Sequence, residues 1–117
     1  AAGELAEHAE DELAHARRLA ERIIQLGGEP VKDPRSWSST GNCGYLVPID
    51  VSVPALMQQA VEGEQCAIDH YNKLLDMTHH KDAVTYALLV SILEEELEHE
   101  EEFQSILDDL GEMQREM

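Results

Sequence analysis

The chain has 117 residues, 43% of them hydrophobic but only 4% aromatic, which suits one compact all-α domain, 1–117, around a single core. A balance of 25 acidic against 8 basic residues, net −17, excludes direct nucleic-acid binding, because phosphate contact needs Lys and Arg. No run of about 18 apolar residues exists and the first residues lack the basic and apolar regions of a signal peptide, so no membrane association and a cytoplasmic location are expected.

Helix one is predicted over 3–26, with Leu5, Ala9, Leu13, Ala16, Leu19, Ala20, Ile23 and Leu26 on one side and Gly27-Gly28 as its C-cap. Along it, Leu5, His8, Glu12, His15 and Leu19 form a line in which polar ligand types take inward positions. A crossover follows over 27–52. Pro30, Pro34 and Pro48, the only Trp, several Ser and Gly, and no helical period mark it as a connection between opposite ends of a bundle.

Helix two is predicted over 53–78, capped by Asp50 or Ser52, with Pro54 in its first turn. Its inward stripe is Val53, Met57, Ala60, Glu64, Ala67, Tyr71 and Leu74. Glu62 lies about 200° from Glu64 around the axis and is expected outside. After a short turn, Asp82 caps helix three over 82–110, whose stripe is Leu89, Ile92, Glu96, His99, Phe103, Ile106 and Leu110. The other glutamates of 94–102 are read as a solvated face. Lysine is confined to Lys32, Lys73 and Lys81, and so acidic a surface suits either a salt-rich cytoplasm or the attraction of cations.

Glu12-x-x-His15 and Glu96-x-x-His99 are two copies of one spacing. Residues three apart on a helix lie about 60° apart around its axis, so each pair aims a carboxylate and an imidazole at one point. Both pairs interrupt core-facing stripes, where a carboxylate is costly unless paired or bound to a metal. With Glu64 they supply three carboxylates and two imidazoles, the outline of a di-metal site. Mixed oxygen and nitrogen ligands suit iron or manganese, with zinc also possible, and the expected chemistry is oxidation of ferrous iron. A buried hydrogen-bond network without metal is the weaker reading, given the repulsion it would carry. His8, His70, His79 and His80 are read as surface or turn histidines. Cys43 and Cys66 allow one bridge, but two free thiols are commoner in an intracellular protein.

At these residues a family resemblance is plain. The run 9–23, AEDELAHARRLAERI, looks like helix B of ferritin-like proteins, while 62–68 and 92–101 look like helices C and D. Cys43-Gly44-Tyr45 together with Cys66 resembles the Dps-like thioferritin branch, related to bacterioferritin. The resemblance implies a ferritin-like four-helix bundle of which helices B, C and D are present here, assembled as a dodecameric shell. It implies a ferroxidase that oxidises Fe(II) with hydrogen peroxide or dioxygen, stores the iron and limits oxidative damage. Glu12, His15, Glu64, Glu96 and His99 would be the ligands of two iron ions, with Glu12 and Glu96 bridging and catalytic. Cys43 and Cys66 match the family's disulfide or redox pair.

Two departures carry expectations of their own. Bacterioferritin has a haem-ligating Met directly after the helix B Glu, whereas Leu13 stands here, so no haem is expected. The family's first helix and its Glu are absent, so a further helix from an upstream segment or a second chain is expected to cover an exposed stripe of Leu5, Ala9, Leu13, Met57, Ala60, Leu89 and Phe103. A rubrerythrin-like peroxidase or manganese catalase on the same scaffold is an alternative, although no Cys-x-x-Cys pairs are present; a metal-free acidic helical interaction module is another.

Overall fold

The structure, a computed structural model, describes residues 2–44 and 47–116, without the side chain of Ser38. Tyr45, part of the loop motif noted above, lies outside the described residues. All regular structure among those residues is helical. The chain divides into two compact units, the first ending at residue 45.

The first unit is built on α1, Ala2–Gln25. The helix stops because Gly27 takes φ +85°, a left-handed conformation that only glycine adopts without a Cβ penalty. Gly28 N–H then donates to the Ile23 carbonyl at 2.8 Å and Gly27 N–H to the Ile24 carbonyl at 3.0 Å, the paired bonds of a Schellman end. The crossover is less irregular than its composition suggests. A 3-10 turn at Pro34–Ser36 runs into a single helical turn, α2, Trp37–Thr40. Asp33 initiates it by accepting from Arg35 N–H at 3.0 Å and from the Arg35 guanidinium, and these bonds hold its carboxyl below the usual range.

On α1 the buried residues are His8 and His15, while Leu13 is 55% exposed. The expected apolar side is therefore split. At about 100° per residue, Leu13 stands about 160° from His15, so the Leu5-Ala9-Leu13 ridge and the histidine line diverge along the helix.

The second unit is a hairpin of two long helices. In α3, Val53–Thr78, Ser52 is the N-cap, accepting from Ala55 N–H at 3.4 Å, and Pro54 sits in the first turn. Asp50 instead accepts from Ser52 N–H at 2.9 Å, which lowers its pKa. The chain reverses through His80, the one non-glycine residue with positive φ, +62°, among those described. Asp82 then caps α4, Ala83–Glu116, by accepting from Thr85 N–H at 3.1 Å. This last helix continues past Gly111, where an end had been expected. One interior glycine costs only about 1 kcal/mol, and Glu112, Met113, Gln114 and Arg115 are good helix formers.

Met57, Val61 and Phe103 form the core cluster, flanked by Leu56, Ala60, Ile106 and Leu107. On α4 the buried line is Leu89, Ile92, Glu96, His99 and Phe103, in steps of three and four. Met57, Leu89 and Phe103 thus belong to the interior of the hairpin, not to the exposed stripe expected of them; Leu5, Ala9 and Leu13 are exposed. No helix among the described residues is long and apolar enough to cross a membrane.

Candidate metal centre

Within the hairpin, one side chain of α3 and two of α4 meet. Glu64 Oε1 lies 3.7 Å and Glu96 Oε1 3.8 Å from His99 Nδ1. Helix periodicity explains the convergence: Glu96 and His99 occupy the seam that Ile92 and Phe103 continue on either side, and Glu64 lies one turn beyond Val61 on the face of α3 turned towards it. Glu62, two residues away, is exposed. The side chains of Glu96 and Glu64 retain only 2% and 11% of their accessible surface.

The separations of 3.7 and 3.8 Å exceed the range of a direct hydrogen bond. One ligand atom from each of the three residues lies within 4.8 Å of the others. Donor atoms about 2.0–2.2 Å from a shared ion stand up to about 4.4 Å apart, so the cluster needs only a few tenths of an ångström of contraction to enclose a cation. Its chemistry fits as well. Two carboxylates and an imidazole removed from water form a hard, anionic donor set that a first-row divalent cation neutralises.

The first unit repeats half of this arrangement. His15 Nδ1 lies 3.7 Å from Glu12 Oε2, with the histidine side chain 3% and the glutamate side chain 46% exposed. The two Glu-x-x-His motifs share one local geometry and differ in the depth of the glutamate. Glu12, expected to face inward with His15, keeps its carboxylate at that imidazole while nearly half of its side chain is exposed.

His8 is a correction to the sequence reading. Expected at the surface, it is 6% exposed, and its Nδ1 donates to the Glu4 carbonyl oxygen. Its position seven residues before His15, two turns along the same face, was the available signal. His79 and His80 are exposed at the α3–α4 turn, where the His79 ring stacks on Tyr86 at 5.0 Å; His70 is half-buried. Both Cys43 and Cys66 are disulfide-bonded.

With this geometry in hand, the chain compares closely with known proteins. The family model for the ferritin-like domain matches residues 2–113. The sequence is 36% identical over 95 residues to the DNA protection during starvation protein of Pyrococcus furiosus, covering 80% of this chain and 51% of that protein. It is 33% identical over 90 residues to the bacterioferritin of Desulfovibrio desulfuricans, covering 76% and 45%. The chain thus spans about half the length of these curated relatives. Among solved structures, the bacterioferritin-related protein of Bacteroides fragilis, described as a dodecameric thioferritin, matches with a TM-score of 0.95 at 40% identity, over 98% of this chain and 68% of that one.

Proposed function

The chain belongs to the ferritin-like family, and on that premise we propose that it binds ferrous iron and oxidises it, as a di-iron ferroxidase of an iron-storing, Dps-like protein. The observation that carries the reading is the convergence of Glu64, Glu96 and His99 in the interior of the α3–α4 hairpin. A buried pair of carboxylates is costly in a metal-free protein and becomes favourable when a cation is held.

Glu12 and His15 are proposed as further ligands, on the strength of the repeated motif and its matching 3.7 Å spacing, with Glu12 and Glu96 as the bridging, catalytic carboxylates. A carboxylate from outside these 117 residues, carried on a further helix, is proposed to complete the set. Iron is the substrate and supplies the one-electron chemistry. Two ferrous ions lose one electron each; one peroxide takes both electrons and two protons, its O–O bond breaks and two waters leave. Dioxygen as oxidant takes the same two electrons and two protons to become peroxide. The protein's part is to hold the ions side by side, to offset their charge with carboxylates and to keep them out of bulk water. Cys43 and Cys66 are proposed to pair as the thioferritin-like disulfide, and the chain to assemble as a homododecameric shell.

Anaerobic loading with Fe(II), followed by peroxide or dioxygen, tests the reading through the growth of ferric absorbance. Saturable oxidation that is lost in Glu64→Ala and in His99→Ala is expected. Oxidation no faster than in buffer alone, with either oxidant, refutes it.

A further inference from the structure

His70 stands one helical turn after Cys66 on α3, and neither has a part in the iron oxidation proposed above. We infer that reduction of the Cys66 disulfide unmasks a binding position for a thiophilic divalent cation such as Zn(II), held by Cys66 and His70 and completed by the sulfur of Cys43. This rests on the pairing of Cys43 with Cys66 proposed above.

A ring nitrogen of His70 lies within 4.8 Å of Cys66 Sγ. The two residues are four apart on one helix, about 40° around the axis and about 6 Å along it, the i, i+4 relation at which two side chains grip one ion. Zinc bonds of about 2.3 Å to sulfur and about 2.0–2.1 Å to nitrogen hold tetrahedral donors about 3.6 Å apart, so a shift of roughly an ångström closes the pair on a cation. Both residues are half-buried, unlike His79 and His80 at the turn. Cys66 stands about 160° and His70 about 120° around α3 from Glu64. A cation held there is on another side of the helix from the carboxylates and shares no ligand with them.

The disulfide is what masks the position. Cys43 and Cys66 are disulfide-bonded, and a sulfur bonded to sulfur has no thiolate to offer a metal. A dithiol reductant supplies the two electrons. One of its sulfurs attacks Cys43 Sγ, the S–S bond breaks and Cys66 leaves; its second sulfur then closes on the first, and its two protons end on the two cysteine thiols. The freed sulfurs move from about 2.05 Å apart to about 3.7 Å, the separation of two thiolates on a tetrahedral ion, and give up those protons as the cation binds. Two thiolates and one imidazole are a softer set than the carboxylate centre and select zinc, with a fourth position left for water. Peroxide reverses the change: it takes two electrons from the sulfurs and two protons from water, leaves as two waters, and the restored S–S bond expels the cation.

The test uses Co(II) as the probe on the intact protein, one portion kept oxidised and the other reduced anaerobically with a dithiol that is then removed by gel filtration. Equilibrium dialysis counts bound cobalt, and the thiolate-to-Co(II) charge-transfer band in the near ultraviolet reports sulfur ligation. Cobalt at the carboxylate centre is common to both portions and cancels. Reduced wild type is expected to hold one more Co(II) per chain than oxidised, with that band, and Zn(II) to displace it. His70→Ala should weaken the extra site by at least about tenfold, since even groups one step removed from an ion are worth that much. His70→Cys, which restores a donor, should recover it with a stronger band. Equal cobalt in the two redox states overturns the inference, as does an extra Co(II) held as tightly by His70→Ala. Thiols that titrate in denatured, unreduced wild type overturn the proposed pairing and the inference with it, whereas their absence alongside equal cobalt removes the cation site alone.

Discussion

Replacing Glu96 by leucine separates a metal centre from a buried hydrogen-bond network by the sign of the stability change. Ligand atoms of Glu64 and Glu96 lie within 4.8 Å of each other, so at an effective dielectric constant of about 20 two ionised carboxylates repel by at least ~3.5 kcal/mol. Glu96 also occupies an apolar seam between Ile92 and Phe103, which leucine continues. In excess chelator the substitution is therefore expected to stabilise the protein by about 1–4 kcal/mol, the range found when buried ionic groups give way to apolar ones. That corresponds to ~3–6 °C in melting temperature per kcal/mol for a chain of this size. With Co(II) or Zn(II) at a hundred times its dissociation constant the difference shifts towards the wild type by up to about 2.7 kcal/mol, because the wild type gains that much and the variant loses most of the gain. Circular-dichroism melts at one protein concentration, with and without metal, read both effects. Should Glu96→Leu lose ~3–5 kcal/mol in chelator, the cost of stranding partners of a built network, the metal-centre argument is refuted.

Three further outcomes are expected. Gly27→Ala should lower stability by about 1 kcal/mol, because φ is +85° and nothing lies within 4 Å of the added Cβ, leaving only the backbone penalty; an unchanged urea midpoint would remove the Schellman end from the account. The Asp50 carboxyl is held low mainly by the Ser52 N–H, so its contribution is complete above the unfolded carboxyl value of about 3.9 and is lost as pH falls through the lower folded value. The difference between wild type and Asp50→Asn should thus be constant at neutral pH and close in acid, and a gap that widens in acid counts against it. Cys43→Ser should expose one titratable thiol in denatured protein where the wild type has none, and cost about 3 kcal/mol for opening a loop of about 23 residues; two thiols in the unreduced wild type would exclude the pairing.

Periodicity made most of the hairpin legible. Steps of three and four place Leu89, Ile92, Glu96, His99 and Phe103 on one line, and that line is the buried seam of α4. Capping chemistry located the starts of α3 and α4, because Ser52, Pro54 and Asp82 each satisfy or forgo backbone donors that a first turn leaves open. Glycine was the weaker signal. Gly27 ends α1 because the chain turns there with positive φ, whereas Gly111 stays helical; the residue permits a stop without imposing one. The line on α1 was harder to read, since leucine, alanine and histidine at helical spacing define two candidate faces. His8 was lost between them: a glutamate stands three residues before His15 and before His99, whereas Leu5 stands three residues before His8.

The two Glu-x-x-His motifs make the consequence of depth concrete. Their carboxylate-to-imidazole spacings are 3.7 and 3.8 Å and their imidazoles are both buried, so what distinguishes them is the glutamate side chain, 46% exposed in one and 2% in the other. A buried carboxylate among packed apolar side chains gives up its rotamer freedom on folding and pays no further ordering cost when an ion arrives. A half-exposed glutamate keeps more of its hydration until an ion arrives, so it grips less tightly and releases sooner. An iron-processing centre requires both behaviours, since a centre built only of buried glutamates would hold its substrate and one built only of exposed glutamates would not retain it through electron transfer. On the function proposed here, Glu96 anchors and Glu12 exchanges. Glu12→Ala should therefore weaken the capture of Fe(II) more than the retention of metal already bound, and Glu96→Ala should do the reverse; equal effects on entry and retention would show that depth does not divide the labour.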